Sequence, residues 1–516
     1  MAACAAAVAA APAAAAIPPP GVTHANHRHG HPPNLVAPGF RLERIATGTD
    51  PLENPSGLIT TFGELNDAAT QPIEATKTEP DQNTYLVFKH GLPGPTHGYD
   101  YGTHFLFQTH EGTTDLGYLT RINLDVTDPA HRITLLTPVG KDGLTHINAL
   151  DGTTWDPFTH TLLATQENDN LSSPFEVTVG WPPRHISLEG VLGDGGYEGV
   201  HPDDHGDLIL AEDIGGTEVS VDPSDPDAPV VAKQPNSFIY RFVPKDAADL
   251  TKGGRLQALQ AFVHGHAVRF HANDPSGDVF SHDHLLLNTP GTSWPVRWVT
   301  VHNTATDGFS PFDANAAAKA AGATPFLRPE NLQFQPGTRF GTFVFDATGD
   351  TNADSGNVPA LAARGSWGAI FRVRIGGRGR GRLSILVLGD ARHASFDNLA
   401  FADRDTLLAA EDRGDTLHEQ LNRLDSIWAY SMSDPEHPVR FLAEGRDEAA
   451  EIDAGYLNAG TSGFQNDGDN EVTGLHVSSG SPFVAGMQGR LGSFAEARWF
   501  FTQQHGENNL WEILSR

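Results

Sequence analysis

The sequence predicts an all-β protein, organised as a single β-propeller domain with long inserted loops. Short segments rich in Val, Ile, Leu, Phe and Thr dominate the chain, and Gly, Pro, Asp and Asn separate them. Long stretches with the apolar period of a helix are scarce. The 516 residues include 54 Gly and 36 Pro, which suits many strands joined by turns. A strand pattern that recurs along the chain favours one closed propeller over several separate domains.

The recurring pattern begins with an acidic residue, continues through a short apolar step and a polar turn, and closes with a strand that ends in an acid. The four segments are DGTTWDPFTHTLLATQE from Asp151, EGVHPDDHGDLILAE from Glu198, ENLQFQPGTRFGTFVFD from Glu330 and DNLAFADRDTLLAAE from Asp397. First and last acids are 16, 14, 16 and 14 residues apart, so each side chain keeps its face of the sheet. The third and fourth segments start 67 residues apart, and the second and third start 132 apart, close to twice that distance. This spacing suggests large propeller blades, whose innermost strands would carry the acids to a central channel. The competing interpretation is that these Asp-Gly and Asp-Asn pairs are only turn residues.

The N-terminal 1–35 segment is predicted to lie outside the propeller, which then spans 36–516. Residues 2–16 are nearly all Ala and Val and precede IPPPG, a pattern typical of a secretory signal. The tract HANHRHGH at 24–31 could bind a transition metal, although a flexible tail explains it as well. We therefore expect an extracellular or periplasmic protein. No apolar stretch of 18 residues occurs, so we expect no membrane insertion.

Acidic residues outnumber basic ones by 64 to 34, which gives a net charge of −30. This charge argues against nucleic acid as a partner. It could serve solubility alone, or many of the carboxylates could bind hard cations. The one basic run, IGGRGRGR at 375–382, could contact an anionic partner, although a solvated hairpin loop explains it equally simply.

The body of the domain contains no cysteine, because the single cysteine is Cys4 in the leader. Carboxylates converging from different strands without thiolates fit an oxygen-ligated cation such as Ca²⁺. Asp213, Asp346 and Asp412 are secondary candidates. The predicted inner ligands are Glu111, Glu167, Glu198, Glu212, Glu330 and Glu411.

Arg328 is the candidate anion-binding residue. It lies two positions before Glu330, so on an extended strand both side chains would face one cavity. An arginine can grip a phosphate with two parallel hydrogen bonds, although an ion pair with a neighbouring acid fits the same spacing. Sequence signatures of serine hydrolases, P-loops and zinc-binding helices are absent.

Several motifs, taken together, resemble the PhoX-type alkaline phosphatases. LLATQEN is similar to a strand-end motif of that family, T-W-L-T-C-E-E-N or close to it. Further similar segments are THEGTTDLGYLTRI (109–122), FIYRFVPKDAADLTKGGRLQAL (238–259), RPEN (328–331), FDNLAF (396–401) and NEVTGLHV with FFTQQHGE (470–507).

The resemblance implies a six-bladed, exported propeller that hydrolyses phosphate esters at one mouth of its channel. It implies that Glu198 and Glu330 bind metal and that Arg328 binds phosphate. Where the family has its iron-binding cysteine, this chain has Thr165, and a hydroxyl is a poor substitute for a thiolate. We therefore expect calcium rather than iron. In the closing motif, the family's Gln-His-Pro-Gly has become Gln504-His505-Gly506.

Three hypotheses remain on sequence grounds. The first is a secreted, calcium-dependent hydrolase of small phosphorylated substrates, with phosphate monoesters as the default. The second is a calcium-dependent lactonase or esterase, for which Asn331 and Asn398 would be suitable ligands. The third is a metal-stabilised propeller without catalysis, used for binding or as a scaffold. The oligomeric state is not predicted.

Overall fold

The computed structural model describes residues 33–56, 59–63, 78–112, 115–137, 139–445, 471–484, 497–504 and 507–516. Most of the leader, the histidine tract and the closing residues His505 and Gly506 lie outside this part of the chain.

Strands make up most of the regular structure. The described residues form these 31 strands: β1 (Leu35–Val36), β2 (Phe40–Ala46), β3 (Pro51–Ser56), β4 (Ile59–Thr61), β5 (Glu79–Val87), β6 (His104–Glu111), β7 (Tyr118–Asn123), β8 (Ile133–Leu135), β9 (Leu150–Asp156), β10 (Thr161–Gln166), β11 (Phe175–Val177), β12 (His185–Ser187), β13 (Tyr197–Pro202), β14 (Leu208–Glu212), β15 (Glu218–Ser220), β16 (Val230–Lys233), β17 (Ile239–Pro244), β18 (Gly254–Val263), β19 (His266–Ala267), β20 (Trp294–Asn303), β21 (Leu332–Phe334), β22 (Thr342–Ala347), β23 (Ala369–Gly376), β24 (Arg380–Leu388), β25 (Phe396–Phe401), β26 (Thr406–Glu411), β27 (Ser426–Ser431), β28 (Val439–Ala443), β29 (Glu471–Ser478), β30 (Arg498–Gln504) and β31 (Asn509–Ser515).

Helices are short connectors. They are α1 (Pro129–Arg132), α2 (Glu189–Leu192), α3 (Pro275–Val279), α4 (His282–Leu287), α5 (Thr304–Asp307), α6 (Ala314–Ala321), α7 (Ala353–Gly356), α8 (Pro359–Ala362) and α9 (Gly414–Leu421), with 3₁₀ turns at Leu250–Lys252 and Gly377–Gly379. The longest described helices, α6 and α9, have 8 residues each. Among the described helices, none is both long enough and apolar enough to span a bilayer. The prediction of an all-β protein is confirmed.

Antiparallel meanders of neighbouring strands build the sheets. They are β5–β6–β7–β8 extended by β3 and β4, β9–β10–β11–β12, β13–β14–β17–β18, β21–β22–β23–β24, β25–β26–β27–β28 extended by β1, and β29–β30–β31 extended by β2. Strand β20 pairs with both β18 and β24, so the third and fourth meanders share one ten-stranded sheet. The N-terminal β2 pairs with the C-terminal β31, which joins the two ends of the described chain in one sheet.

The first strands of the meanders surround a common axis. Strand β5 contacts β9, β9 contacts β13, β13 contacts β21, β21 contacts β25, β25 contacts β29, and β29 returns to β5. Apolar side chains fill the space between neighbouring sheets; Phe105 and Phe107, for example, share a buried cluster with Trp155 and Leu162. The fold is therefore propeller-like, and the inner strands bring one end of every meander to the same central region.

Candidate metal centre

The acids of the recurring pattern meet because of the direction of the strands. In an antiparallel pair, the start of the first strand lies beside the end of the second. The register pairs Glu79 with Glu111, and Tyr197, which precedes Glu198, with Glu212. Acids at both places are therefore delivered to the same end of the ring.

Three of these acids lie where the strand pairing is irregular. The ladder shifts register between Pro80 and Asn83, between Tyr197 and Val200, and between Phe396 and Leu399. Asp81, Glu198 and Asp397 lie within these intervals. A bulge re-aims the side chain that it carries, and bulges are frequent beside functional sites. The bulges thus turn these carboxylates out of the regular ladder.

Hydrogen bonds between neighbouring meanders hold this end of the ring together. The Gly199 amide donates to the Glu330 carbonyl at 2.9 Å. The Asn398 side-chain oxygen accepts from Gln82 at 2.7 Å and from the Leu475 amide at 3.2 Å. The acidic side chains are consequently mounted on a mutually supported framework.

Seven carboxylates converge in three overlapping groups, within each of which oxygen atoms lie within 4.8 Å of one another. The groups are Asp81–Glu111–Asp151, Asp151–Glu167–Glu198 and Glu198–Glu330–Asp397. Asp151 and Glu198 belong to two groups each, so the three groups form one continuous acidic surface. Four of the predicted ligands, Glu111, Glu167, Glu198 and Glu330, are brought together here.

Burial and mutual repulsion favour the protonated form of these acids. Burial is the main cause that raises the pKa of Glu198 well above its usual range, followed by the charges of Glu330 and Asp151. Burial and then Asp213 raise the pKa of Glu167 to about 8. Burial and then Asp412 raise the pKa of Asp397 to about 7. A bound cation would relieve both effects.

The donor set fits a hard cation. Oδ1 of Asp81 and Oδ1 of Asp151 are buried and have no hydrogen-bond partner in the described part of the chain. Buried polar atoms without partners are costly, and a cation would supply the missing interaction. Every candidate ligand in the three groups is a carboxylate oxygen, which suits Ca²⁺ better than softer metals.

A thiolate-bound iron does not fit this set. Thr165, at the position of the family's cysteine, is buried and its hydroxyl donates to the Glu198 carbonyl at 2.6 Å. A Cβ added to Gly152 would lie 2.1 Å from that carbonyl and 2.3 Å from the Thr165 hydroxyl. The hydroxyl is therefore occupied in a tight contact between β9, β10 and β13.

Arg328 lies at the border of the acidic surface. Its backbone has the unusual φ of 53° and lies four residues before β21, so Arg328 and Glu330 are not on the extended strand that their spacing suggested. Its Nε donates to Oδ2 of Asp213 at 2.8 Å, and its Nη2 lies 2.8 Å from the same oxygen and 3.6 Å from Oε1 of Glu330. The side chain keeps 19% of its surface exposed, so a ligand can reach it.

Two predicted ligands lie outside the three groups. The Glu212 carboxylate accepts hydrogen bonds from the Phe238 amide, the Tyr240 hydroxyl and the Asn315 amide, each at 3.0 Å, and burial raises its pKa to about 8. Glu411 pairs with Arg413 at 2.6 Å. Although burial opposes ionisation of Glu411, Arg413 and then Arg423 hold its pKa below the usual value. Both carboxylates are satisfied by protein groups.

Each secondary candidate has a protein partner, although Oδ1 of Asp213 and Oδ2 of Asp346 are buried without a hydrogen-bond partner in the described chain. The remaining members of the three groups were not among the predicted ligands. Asp213 binds Arg328, Asp346 accepts from the Asn331 amide at 2.7 Å, and Asp412 accepts from the Gly414 amide at 2.9 Å. Asp151 and Asp397 are the first acids of two recurring segments, so the sequence pattern could have identified them as ligands. Asp81 lies in EPDQNT, where that pattern is absent.

The fold and the site together define a propeller-like protein with a cluster of carboxylates that could hold a metal ion. The family described as alkaline phosphatase PhoX matches residues 225–488, just over half of the chain. The chain belongs to this family, as its motifs predicted. No curated protein matches the sequence.

A solved structure supports the fold. PhoX of Pseudomonas fluorescens, in complex with the transition-state analogue vanadate, has a TM-score of 0.53 and 11% identity, covering 97% of this chain and 98% of that one. A putative gluconolactonase has a TM-score of 0.34 and 10% identity, covering 98% of both chains. The calcium-binding protein regucalcin from Agrobacterium tumefaciens has a TM-score of 0.28 and 12% identity, covering 72% of this chain and 92% of that one. The last two similarities are too low to bear on fold or function.

Proposed function

We propose that the protein is a secreted, calcium-dependent phosphohydrolase that acts on small phosphate monoesters. The observation that carries this proposal is the position of Arg328, whose Nη2 lies 3.6 Å from a carboxylate of the third acidic group. A site that binds phosphate through metal ions and an arginine needs the guanidinium group close to the residues that would hold the metal.

The carboxylates of the three groups would hold the calcium ions. Their members are Asp81, Glu111, Asp151, Glu167, Glu198, Glu330 and Asp397. Bound calcium would polarise the phosphoryl oxygens and make a bound water more acidic. Glu198 and Asp151 are shared between groups, so they would set the spacing between neighbouring ions. Glu212 and Glu411 are left out of this proposed set because protein donors already satisfy them.

Arg328 would bind and orient the phosphate. Asp213 engages Nε and Nη2, which fixes the plane of the guanidinium group. The contacts of the guanidinium group with described residues involve Nε and Nη2, which leaves Nη1 available to a substrate oxygen. A prealigned guanidinium stabilises charge on the transferring group without reorganising during the reaction.

The propeller would have six blades, one for each meander whose first strand belongs to the central ring. The Ala-rich leader motivates the proposed export to the periplasm or the outside of the cell. A substrate that reaches one end of the ring would be a small phosphorylated molecule.

The test is hydrolysis of p-nitrophenyl phosphate by the full chain and by its Arg328→Ala variant. Loss of one preorganised charge donor should lower kcat/KM by about 10²–10³-fold. Arg255→Ala is the matched control, because Arg255 is an exposed arginine on β18, and it should keep full activity.

The same assay separates the alternatives. A metal-replete protein that cleaves lactones or aryl esters but no phosphate ester would be a lactonase or an esterase. A metal-replete protein that cleaves none of these substrates would be a non-catalytic propeller, which is the outcome that Thr165 in place of cysteine would favour.

A further inference from the structure

A cavity lined by arginines lies away from the acidic surface, between the fourth and fifth meanders. It has a volume of 580 Å³ and opens between β23–β24 on one side and β27 with the loop after it on the other. Arg372, Arg374 and Arg382 line it. This size is within the range of small-molecule sites.

The sheet geometry brings the three arginines together. Arg372 and Arg374 are two residues apart on β23 and therefore point to the same face. Arg374 pairs directly with Arg382 across the β23–β24 ladder. Ile370 occupies the same face of β23 and packs in the apolar layer against β25–β27. Further along this face of β23, arginines thus take the place of apolar side chains.

Two acidic residues, Asp390 and Glu436, also line the cavity, but neither forms an ion pair with these arginines in the described part of the chain. Arg382 donates from Nε to the Ser293 hydroxyl at 2.8 Å and from Nη2 to the Ser293 carbonyl. For Arg372 and Arg374, no described carboxylate lies within ion-pair distance. Asp390 pairs instead with His393 at 3.1 Å. Burial, and after it the charge of Arg374, lowers the pKa of Arg372.

Two buried polar atoms of the cavity lining have no hydrogen-bond partner in the described chain. They are Nε of Arg372 and the hydroxyl of Tyr430. Tyr430 is 1% exposed and lies on β27, across the cavity from the arginines. Three arginines that share one cavity without an ion pair to an acid repel one another, and a bound anion would relieve that repulsion.

We propose that this cavity binds a phosphorylated organic molecule, with its phosphate on Arg372 and Arg374 and its organic body on the apolar lining. Guanidinium groups bind phosphate through paired hydrogen bonds, and several of them favour a doubly charged anion over a carboxylate. Leu386, Met432 and Pro438 supply the apolar surface, and the volume leaves room for more than a phosphate ion. The site is separate from the proposed catalytic centre and does not depend on it.

The test is calorimetric titration of the metal-stripped Arg328→Ala full-length protein, so that the acidic centre does not contribute. The probes are AMP, inorganic phosphate and adenosine. We expect AMP to bind more tightly than either fragment. Arg372→Gln and Arg374→Gln should each weaken AMP binding about tenfold or more, the effect of losing one charge-assisted contact.

Arg380→Gln is the control, because Arg380 is an exposed arginine on β24 that does not line the cavity. If this variant weakened AMP binding as much as the other two, the loss would reflect the overall charge of the protein, and the proposed site would be wrong. Adenosine binding as tightly as AMP, phosphate binding as tightly as AMP, or absence of AMP binding at millimolar concentration would each overturn the proposal. Arg374 is exposed, so its variant should keep the melting temperature even if Arg372→Gln does not fold.

Discussion

Arg328 and Asp213 form a fixed pair at the border of the acidic surface, with Nε and Nη2 of the arginine each 2.8 Å from one carboxylate oxygen. The pair joins the end of β14 to the segment before β21. Arg328 also adopts a left-handed backbone conformation, with φ at 53°. Such strained conformations persist only where the surroundings hold them, and they concentrate at functional sites.

Asp213→Asn should therefore impair catalysis through Arg328. The amide keeps the shape of the side chain but loses the charge that holds the guanidinium group in plane. We expect kcat/KM for p-nitrophenyl phosphate to fall about 10²-fold, the scale of a small misplacement. Steady-state kinetics alongside elemental analysis would check this. Loss of bound metal in the variant would contradict a positioning role and make Asp213 a ligand.

Removing a carboxylate that belongs to two of the acidic groups should lower the metal content more than removing a carboxylate that lies outside them. Glu198 belongs to two of the groups, so Glu198→Gln should lower the calcium bound per chain. Glu212→Gln is the control, because that carboxylate already accepts three hydrogen bonds from protein donors. Its calcium content should equal that of the unmodified protein. Equal losses in both variants would argue against the grouping.

The stability of the metal-free protein should fall as the pH rises from about 6.5 to about 8.5. The pKa of Asp397 is about 7 and that of Glu167 about 8, mainly because both are buried. Carboxyl groups of the unfolded chain titrate near about 4, so the folded state holds more protons in this window and the free energy of unfolding decreases with pH. Buried histidines such as His201, with a pKa of about 3, change the free energy of unfolding only below about pH 6.5, the pKa of a histidine in the unfolded chain.

Urea unfolding at the two pH values, with calcium or with a chelator, would measure this dependence. Calcium should remove most of the decrease by binding the ionised carboxylates. A smaller part should remain from Glu212, whose pKa is about 8 and which lies outside the three groups. Stability that rises with pH in the chelated protein would contradict the burial of these acids.

Gly152→Ala should destabilise the domain strongly. The added Cβ would lie 2.1 Å from the Glu198 carbonyl oxygen, and both neighbouring backbones are held by the ring. Overpacking of this kind costs about 1–3 kcal/mol or more. Gly215→Ala is the matched control, since nothing lies within 4 Å of its Cβ position, and it should change the free energy of unfolding little. Equal stability of the two variants would show that β9 and β13 can separate without cost.

The sequence predicted the fold class and the acidic strand ends, because both depend on local patterns of period two and on turn residues. The number of strands per sheet and the pairing of β20 with β18 and β24 had no such local signature. They depend on contacts between segments far apart in the chain.

The metal centre could be predicted only in part. Glu167, Glu212 and Glu411 occupy equivalent positions at strand ends, yet only Glu167 joins the groups. Tyr240 and Asn315 engage Glu212, and Arg413 engages Glu411, and these partners come from other elements or from the following turn. Asp81 joins the centre through a bulge, which sequence periodicity does not reveal.

The most direct measurement is hydrolysis of p-nitrophenyl phosphate after the purified protein has been stripped with a chelator and reconstituted with single metals. We expect activity to disappear on stripping and to return with calcium alone, because the acidic groups offer carboxylate oxygens and Thr165 stands in place of a thiolate ligand. Calcium-loaded protein that remains inactive, or activity that returns only with iron, would contradict this expectation.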